Sequence, residues 1–441
     1  MKRLIQAFAA FVVLGAAMVV ISLVTGDEEV DAQTNGITFG AYASPVDGRT
    51  DQTALELLER QLGTKLPLIR AFSDWNDGIG QDKPLHRWAR DGGRELAVSI
   101  KPQRNNGSVV TWRSIANANP GSQIYREMQN LASGANRYGE DMTIIFHHEP
   151  EQNINTKFGS SADYRAAFRK FVEVFEREGV DNVHFAWVMT DWSFNVANFN
   201  ANDRRVAEKW YPGNDVVDFV GADVYNWNNC RGNTTDPWRS LEELLQPFMT
   251  WSARHTPGKQ LILGEISSDE GGGTRKAQWV DDARELLSQG QYRQRFASIM
   301  WFHDDGREEG FRQCQWWADS SSSSLAAVQR MAQNSSFSAA LPPVTGGNSN
   351  FQAPPQTTAA PQTTAAPRTT AAPQTTAAPA PRPTQAPQTT AAPVQRQAQQ
   401  APQTTAAPAP RPTQAPQTTA APARNVAAPV SYTHLTLPTK A

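Results

Sequence analysis

Between residues 37 and 302, eight short β-rich runs alternate with stretches of helical periodicity. The β-rich runs cover 37–43, 66–72, 96–101, 142–148, 183–189, 216–225, 260–266 and 296–302. The segments between them bring apolar residues back at intervals of three and four. Leu55, Leu58 and Leu62 do so in 53–62, and Phe168, Phe171, Val172 and Phe175 in 164–178. The stretches 241–253 and 278–288 behave likewise. Such alternation requires parallel strands joined by crossover helices. Eight β-then-α units in about 300 residues have the size of one closed (β/α)8 TIM barrel. An open doubly wound sheet would carry a Gly-rich phosphate turn after its first strand. The stretch Gly40-Ala41-Tyr42-Ala43-Ser44 is not one.

The ends of the chain differ in kind. Met1-Lys2-Arg3 precedes an apolar run from Leu4 to Val24, and Asp27-Glu28-Glu29 follow it. Basic residues before an apolar stretch and acids after it direct the following chain outward. We read residues 1–32 as a signal peptide or a signal anchor, giving an extracellular or cell-surface protein. Residues 33–340 form the expected catalytic-size barrel. Residues 341–430 are dominated by Pro, Thr, Ala and Gln, with Gln-Thr-Thr-Ala-Ala-Pro recurring at 356–361, 362–367 and 374–379. That composition cannot bury enough apolar surface to fold, and its prolines favour an extended, disordered spacer. Residues 431–441 break the pattern and read as an artefactual or truncated tail.

Composition narrows the partners. A formal charge of −2 gives no electrostatic reason to expect nucleic acid. Thirteen tryptophans in a nearly neutral chain suit saccharides, whose pyranose faces stack on indoles, although many of these residues must be core. The two cysteines, Cys230 and Cys314, fall in the loops after the sixth and eighth runs. An exported protein can join them, although the loops must then reach over the seventh strand, and two free thiols are the other reading.

A barrel of this type carries its chemistry at the C-terminal ends of its strands. The fourth run ends in His147-His148-Glu149 and the seventh in Gly264-Glu265. Carboxylates at these two mouths would face each other across the barrel. Glycosidic cleavage needs such a pair: one protonates the leaving oxygen, while the other attacks the anomeric carbon or activates water. Strand alternation would turn His148 away from Glu149, and an irregular strand end would bring it back towards the site. His147 reads as structural. The His-His-Glu run lacks the helical His-x-x-x-His spacing of a zinc hydrolase, so neither metal nor cofactor is expected. After the sixth run, Tyr225 is placed to hydrogen-bond the nucleophile. Trp301, after the eighth, is expected to floor the cleavage subsite, and Trp75, Trp192 and Trp227 to line its neighbours. Arg70 and Lys101 near the ends of the second and third runs fit ion pairs inside the barrel better than ligand contacts.

The stretch from Trp210 to Tyr225, Trp-Tyr-Pro-Gly-Asn-Asp-Val-Val-Asp-Phe-Val-Gly-Ala-Asp-Val-Tyr, resembles the sixth-strand signature of glycoside hydrolase family 26. His148-Glu149 resembles that family's acid/base pair, Gly264-Glu265 its nucleophile, and Val98-Ser99-Ile100-Lys101-Pro102 its third strand. The resemblance implies a retaining barrel with Glu149 as acid/base and Glu265 as nucleophile. Its implied substrate is a β-linked polysaccharide, most often β-1,4-mannan, with mixed-linkage β-glucan and β-1,3-xylan as alternatives. One departure bears on the choice: Pro150-Glu151-Gln152-Asn153 stands where mannanases carry a run with Asn and Trp. An envelope-remodelling transglycosylase and a non-catalytic polysaccharide-binding barrel are the remaining readings. The protein is expected to act as a monomer.

Overall fold

The computed structural model describes residues 36–195, 203–232, 236–306 and 314–344. All belong to one compact unit; a second unit, residues 355–429, lies outside the described residues, as do the N-terminal apolar run and the C-terminal tail.

Eight parallel strands close into a barrel in sequence order. They are β1 (Thr38–Ala43), β2 (Leu68–Asp74), β3 (Glu95–Lys101), β4 (Met142–Phe146), β5 (Val183–Thr190), β6 (Phe219–Asn226), β7 (Gln260–Ser268) and β8 (Phe296–His303). Nearly every strand residue is buried. This follows from parallel strands with side chains packed on both faces, inwards into the barrel and outwards under the helices. The fold expected from the sequence is present, and its strands shift by no more than three residues from the expected runs.

Around the strands lie α1 (Asp51–Leu62), α2 (Pro84–Asp91), α3 (Trp112–Ala116), α4 (Gln123–Tyr138), α5 (Ser161–Arg177), α6 (Leu241–His255), α7 (Arg275–Leu287), α8 (Gly290–Arg295) and α9 (Ser322–Ala332). Reciprocal capping boxes start α1 at Thr50, α5 at Ser160 and α6 at Ser240. Each satisfies two backbone groups that the first helical turn would leave open.

The repeat is not uniform. Between β5 and β6 the described residues contain only short 3-10 turns, Asp191–Phe194 and Ala207–Lys209, where the alternation predicts a helix. Aromatic side chains cover the barrel there instead. Trp187 of β5 lies 5.5 Å from Trp251 of α6 and 5.0 Å from Tyr211, and Phe194 lies 4.7 Å from Phe248. Large rings bury enough apolar area to cover this part of the barrel.

The barrel's end also falls later than residue 340. The Leu341 backbone N–H donates to Glu95 at 2.8 Å, the Pro342 carbonyl meets His184 Nε2 at 2.9 Å, and the Val344 N–H donates to Asp141 at 3.0 Å. Leu341 packs against the lower interior cluster of Leu68, Ala97, Phe219 and Ala297. Truncation after residue 337 is therefore expected to cost about 1–3 kcal/mol, mainly lost apolar burial. Truncation after residue 344 should leave the melting temperature unchanged. Calorimetry on the two truncations checks this; equal melting temperatures would show that 338–344 contributes nothing.

Candidate active site

β4 stops at Phe146, before the pair of histidines. His147 and Glu149 both adopt positive φ, 45° and 49°. A non-glycine residue held there costs about 1–3 kcal/mol unless its surroundings fix it. Here they do. The His147 N–H donates to Ile100 O, the Glu149 N–H to Val188 O, and Asn155 Nδ2 to Glu149 O. His147 is buried, accepts from Trp112 Nε1 at 3.1 Å, and packs against Phe158. Its role is structural, as expected. The irregular backbone brings His148 to the mouth as well. Its Nδ1 lies 2.7 Å from Ser99 Oγ, and its Nε2 lies 3.8 Å from Glu265 Oε1.

Glu265 owes its direction to a β-bulge. Ala222 pairs with Leu263 but Asp223 pairs with Glu265, so Gly264 is the extra residue. A bulge re-aims the side chains beyond it. A Cβ there would stand 2.5 Å from Asp223 Oδ1 and 2.9 Å from Val188 Cγ1, so any larger residue would displace these side chains. Arg70 of β2 donates from Nε to the Gly264 carbonyl at 3.2 Å, and its Nη2 lies 3.6 Å from Glu265 Oε1. The Tyr225 hydroxyl donates to Glu265 Oε2 at 2.6 Å.

The two glutamates differ electrostatically. Burial pushes the Glu149 carboxyl well above the usual carboxylate range, and the charges of Glu265 and Glu151 push it the same way, against the hydrogen bond that Gln152 donates to Oε2. Burial raises Glu265 as well, and the Arg70 cation and the Tyr225 hydrogen bond offset only part of that rise. Burial, then the charges of Glu265 and Glu149, raise Asp223 well above its ordinary value, and neither of its carboxylate oxygens has a hydrogen-bond partner among the described residues. Glu151 is occupied structurally, accepting from the Thr190 backbone N–H, the Thr190 hydroxyl and Ser193.

Aromatic residues wall the mouth. Tyr42, Phe72, Tyr225, Trp227, Phe302 and Trp316 form one cluster with the two cysteines. Trp316 lies 4.7 Å from Tyr225 and 5.1 Å from Trp227. The sulfurs of Cys230 and Cys314 are bonded, so the loops after β6 and β8 are tied across β7. Trp227 is half-buried in this wall. Trp192 is 38% exposed on the turn after β5, with the Arg205 guanidinium 4.4 Å from its ring.

Two expected subsite residues lie elsewhere. Trp75 is 1% exposed, donates to Glu127 and packs on Phe171 of α5. It belongs to the layer between strands and helices. Trp301 is also 1% exposed and packs within the main core; Phe302, its neighbour on the opposite face of β8, points into the mouth. Alternation decides between adjacent residues, and a sequence shows the pair without showing which one faces in. Arg70 forms the ion pair its position suggested. Asp223 had no role assigned, although its spacing of two from Tyr225 put both on one strand face.

His148, Asp223 and Glu265 bring ligand-type atoms within 4.8 Å of one another. The Arg70 guanidinium already supplies positive charge beside them. The arrangement favours the ionised form of Glu265 over that of Glu149 within one buried, aromatic-walled cleft.

Residues 112–260 match the family model described as glycosyl hydrolase family 26. Endoglucanase H of Acetivibrio thermocellus is 24% identical over 323 residues, covering 71% of this chain and 32% of that protein. The chain thus spans about a third of the length of the curated relative it matches. Among solved structures, the catalytic domain of a Bacillus sp. JAMB-750 GH26 endo-β-1,4-mannanase has a TM-score of 0.49 at 15% identity, covering 70% of this chain and 88% of that one. A GH26 β-mannanase from Bacteroides ovatus has a TM-score of 0.44 at 16% identity, covering 70% and 91%.

Removing Arg70 would leave buried carboxylates without their cation, an error that costs about 3–5 kcal/mol. Arg70→Met should lose that much in urea unfolding at neutral pH. The loss should shrink in mild acid: buried Glu265 and Asp223 already bind protons more tightly folded than unfolded, so falling pH favours the folded variant. A deficit independent of pH would refute the charge argument.

Proposed function

We propose that this chain is a member of glycosyl hydrolase family 26 and a retaining endo-acting enzyme that cleaves a β-linked polysaccharide by double displacement. The observation that carries this reading is the asymmetry of the two carboxylates. Glu265 is held by a buried guanidinium and a tyrosine hydroxyl, which favour its ionised form, whereas Glu149 faces burial and two like charges, which favour its proton. Glu149 donates its proton to the leaving glycosidic oxygen as Glu265 attacks the anomeric carbon. Glu149 then takes a proton from the water that opens the glycosyl-enzyme. His148, Tyr225, Trp227 and Trp192 contribute substrate contacts, joined by Trp316 and Phe302 in place of Trp75 and Trp301.

The leading substrate is β-1,4-mannan, on the strength of the sequence resemblance. β-Glucan is the second reading, favoured by the likeness to endoglucanase H and by Pro150-Glu151-Gln152-Asn153 after the acid/base. The enzyme acts outside the cell, exported by its N-terminal apolar segment, with residues beyond 344 as a spacer.

Glu149→Ala and Glu265→Ala should each lower turnover on both polysaccharides by several orders of magnitude while remaining folded. Azide should rescue Glu265→Ala with inverted product, and Glu149→Ala on an activated substrate with retained product. Near-normal turnover in either variant would sink the assignment, and wild-type product released with inverted configuration would exclude the mechanism.

Gln152→Ala tests the acid/base role through pH. The Gln152 hydrogen bond favours ionised Glu149, so its loss raises the Glu149 pKa further. The acid then stays protonated to higher pH, and the basic limb of kcat/KM should move alkaline. A basic limb that stays fixed would separate it from Glu149.

A further inference from the structure

We propose that Lys276, a helix residue outside the barrel, is a positioning residue that sets the aromatic wall of the cleft by gripping the backbone on either side of Trp316. Lys276 lies in α7 and its side chain is fully buried. Its Nζ donates to Gln315 O, to Trp317 O at 2.7 Å and to Ser320 Oγ at 3.0 Å. The carbonyl between those two, Trp316 O, accepts from Trp301 Nε1 and Ser267 Oγ, each at 3.1 Å. Three consecutive carbonyls are thereby held by buried side chains from three elements. The N–H groups beside them are held too: Gln315 donates to Asp269 and Ala318 to His303 Nδ1.

Burying a lysine costs free energy unless its donors are satisfied, and an ammonium has three. Here all three meet acceptors in one loop segment, with Glu270 Oε2 4.0 Å away as the nearest carboxylate. A general packing role does not require that arrangement; a lysine spent entirely on one segment fixes that segment. What the segment carries is Trp316, whose ring packs on Tyr225, the residue that holds Glu265. The path from Lys276 to the nucleophile thus runs through Trp316 and Tyr225. Trp301, which lies outside the cleft, gains a function in this arrangement as the donor to the central carbonyl.

The inference rests on the glycanase reading for its kinetic consequence but not for its structural one, and the test uses both. In full-length Lys276→Met, kcat/KM on the best substrate should fall about tenfold, chiefly through KM, with the protein folded at the assay temperature. Trp301→Phe, which removes the Nε1 donor and keeps a smaller aromatic ring, should shift KM in the same direction by less. The second readout needs no substrate. The Cys230–Cys314 bond is buried at the start of the gripped segment, so its reduction by dithiothreitol under native conditions reports local opening, and it should proceed about tenfold faster in Lys276→Met. A lower melting temperature with unchanged KM and unchanged reduction rate would overturn the proposal and leave Lys276 an ordinary core residue. If wild type cleaves no glycan, the functional reading fails and the reduction rates alone decide this one. If Lys276→Met does not fold, Trp301→Phe decides, and normal values for both quantities would overturn the proposal.

Discussion

The buried guanidinium of Arg70 is the contact on which the geometry of the candidate site depends. A β-bulge at Gly264 turns Glu265 into the barrel and releases the Gly264 carbonyl from regular pairing. Arg70 takes that carbonyl and the Glu265 carboxylate together. It also rests 4.3 Å from the Phe72 ring, so its weakly hydrated plane is covered as well as paired. Without the cation, the bulge would expose an unmet carbonyl and Glu265 would be forced toward its neutral form. One side chain thus supports both the strand irregularity and the ionised form of the proposed nucleophile.

The opposite side of the cleft is built by strain rather than by charge. His147 and Glu149 sit at positive φ without being glycines, and hydrogen bonds to β3 and β5 and from Asn155 of the 3-10 turn Asn153–Phe158 hold them there. The gain is that two adjacent residues, His148 and Glu149, both address the mouth, which regular strand geometry forbids. Strain at a site and compensation around it are the pattern expected where function sets the backbone.

Above these two walls, the loops after β6 and β8 are joined by the disulfide and by the hydrogen bonds that hold residues 314–318. Closing a loop with a sequence separation of 84 residues removes unfolded-state entropy worth about 4 kcal/mol in the chain-entropy view. That constraint acts on the rim, the part of a barrel otherwise most free to move.

The sequence by itself determined the barrel, because a period of β-then-α units with apolar strands admits few architectures. It also determined which strand ends bear carboxylates, because a Glu at the close of an apolar run is visible in one dimension. It pointed to Tyr225 as the partner of Glu265 for the same reason, and left both a paired and an unpaired reading open for the cysteines. It could not tell which of the neighbours Trp301 and Phe302 faces inward, and it expected Trp75 in the cleft although that residue packs between the strands and the helices. Nor could it show that a helix is missing between β5 and β6 among the described residues, since aromatic rings from distant segments fill that place. The bulge at Gly264, the positive φ of Glu149 and the reach of Arg70 across the barrel were decided only by tertiary structure. Each is a balance between a local backbone cost and contacts from strands far apart in the chain, and such a balance exists only once the barrel has closed.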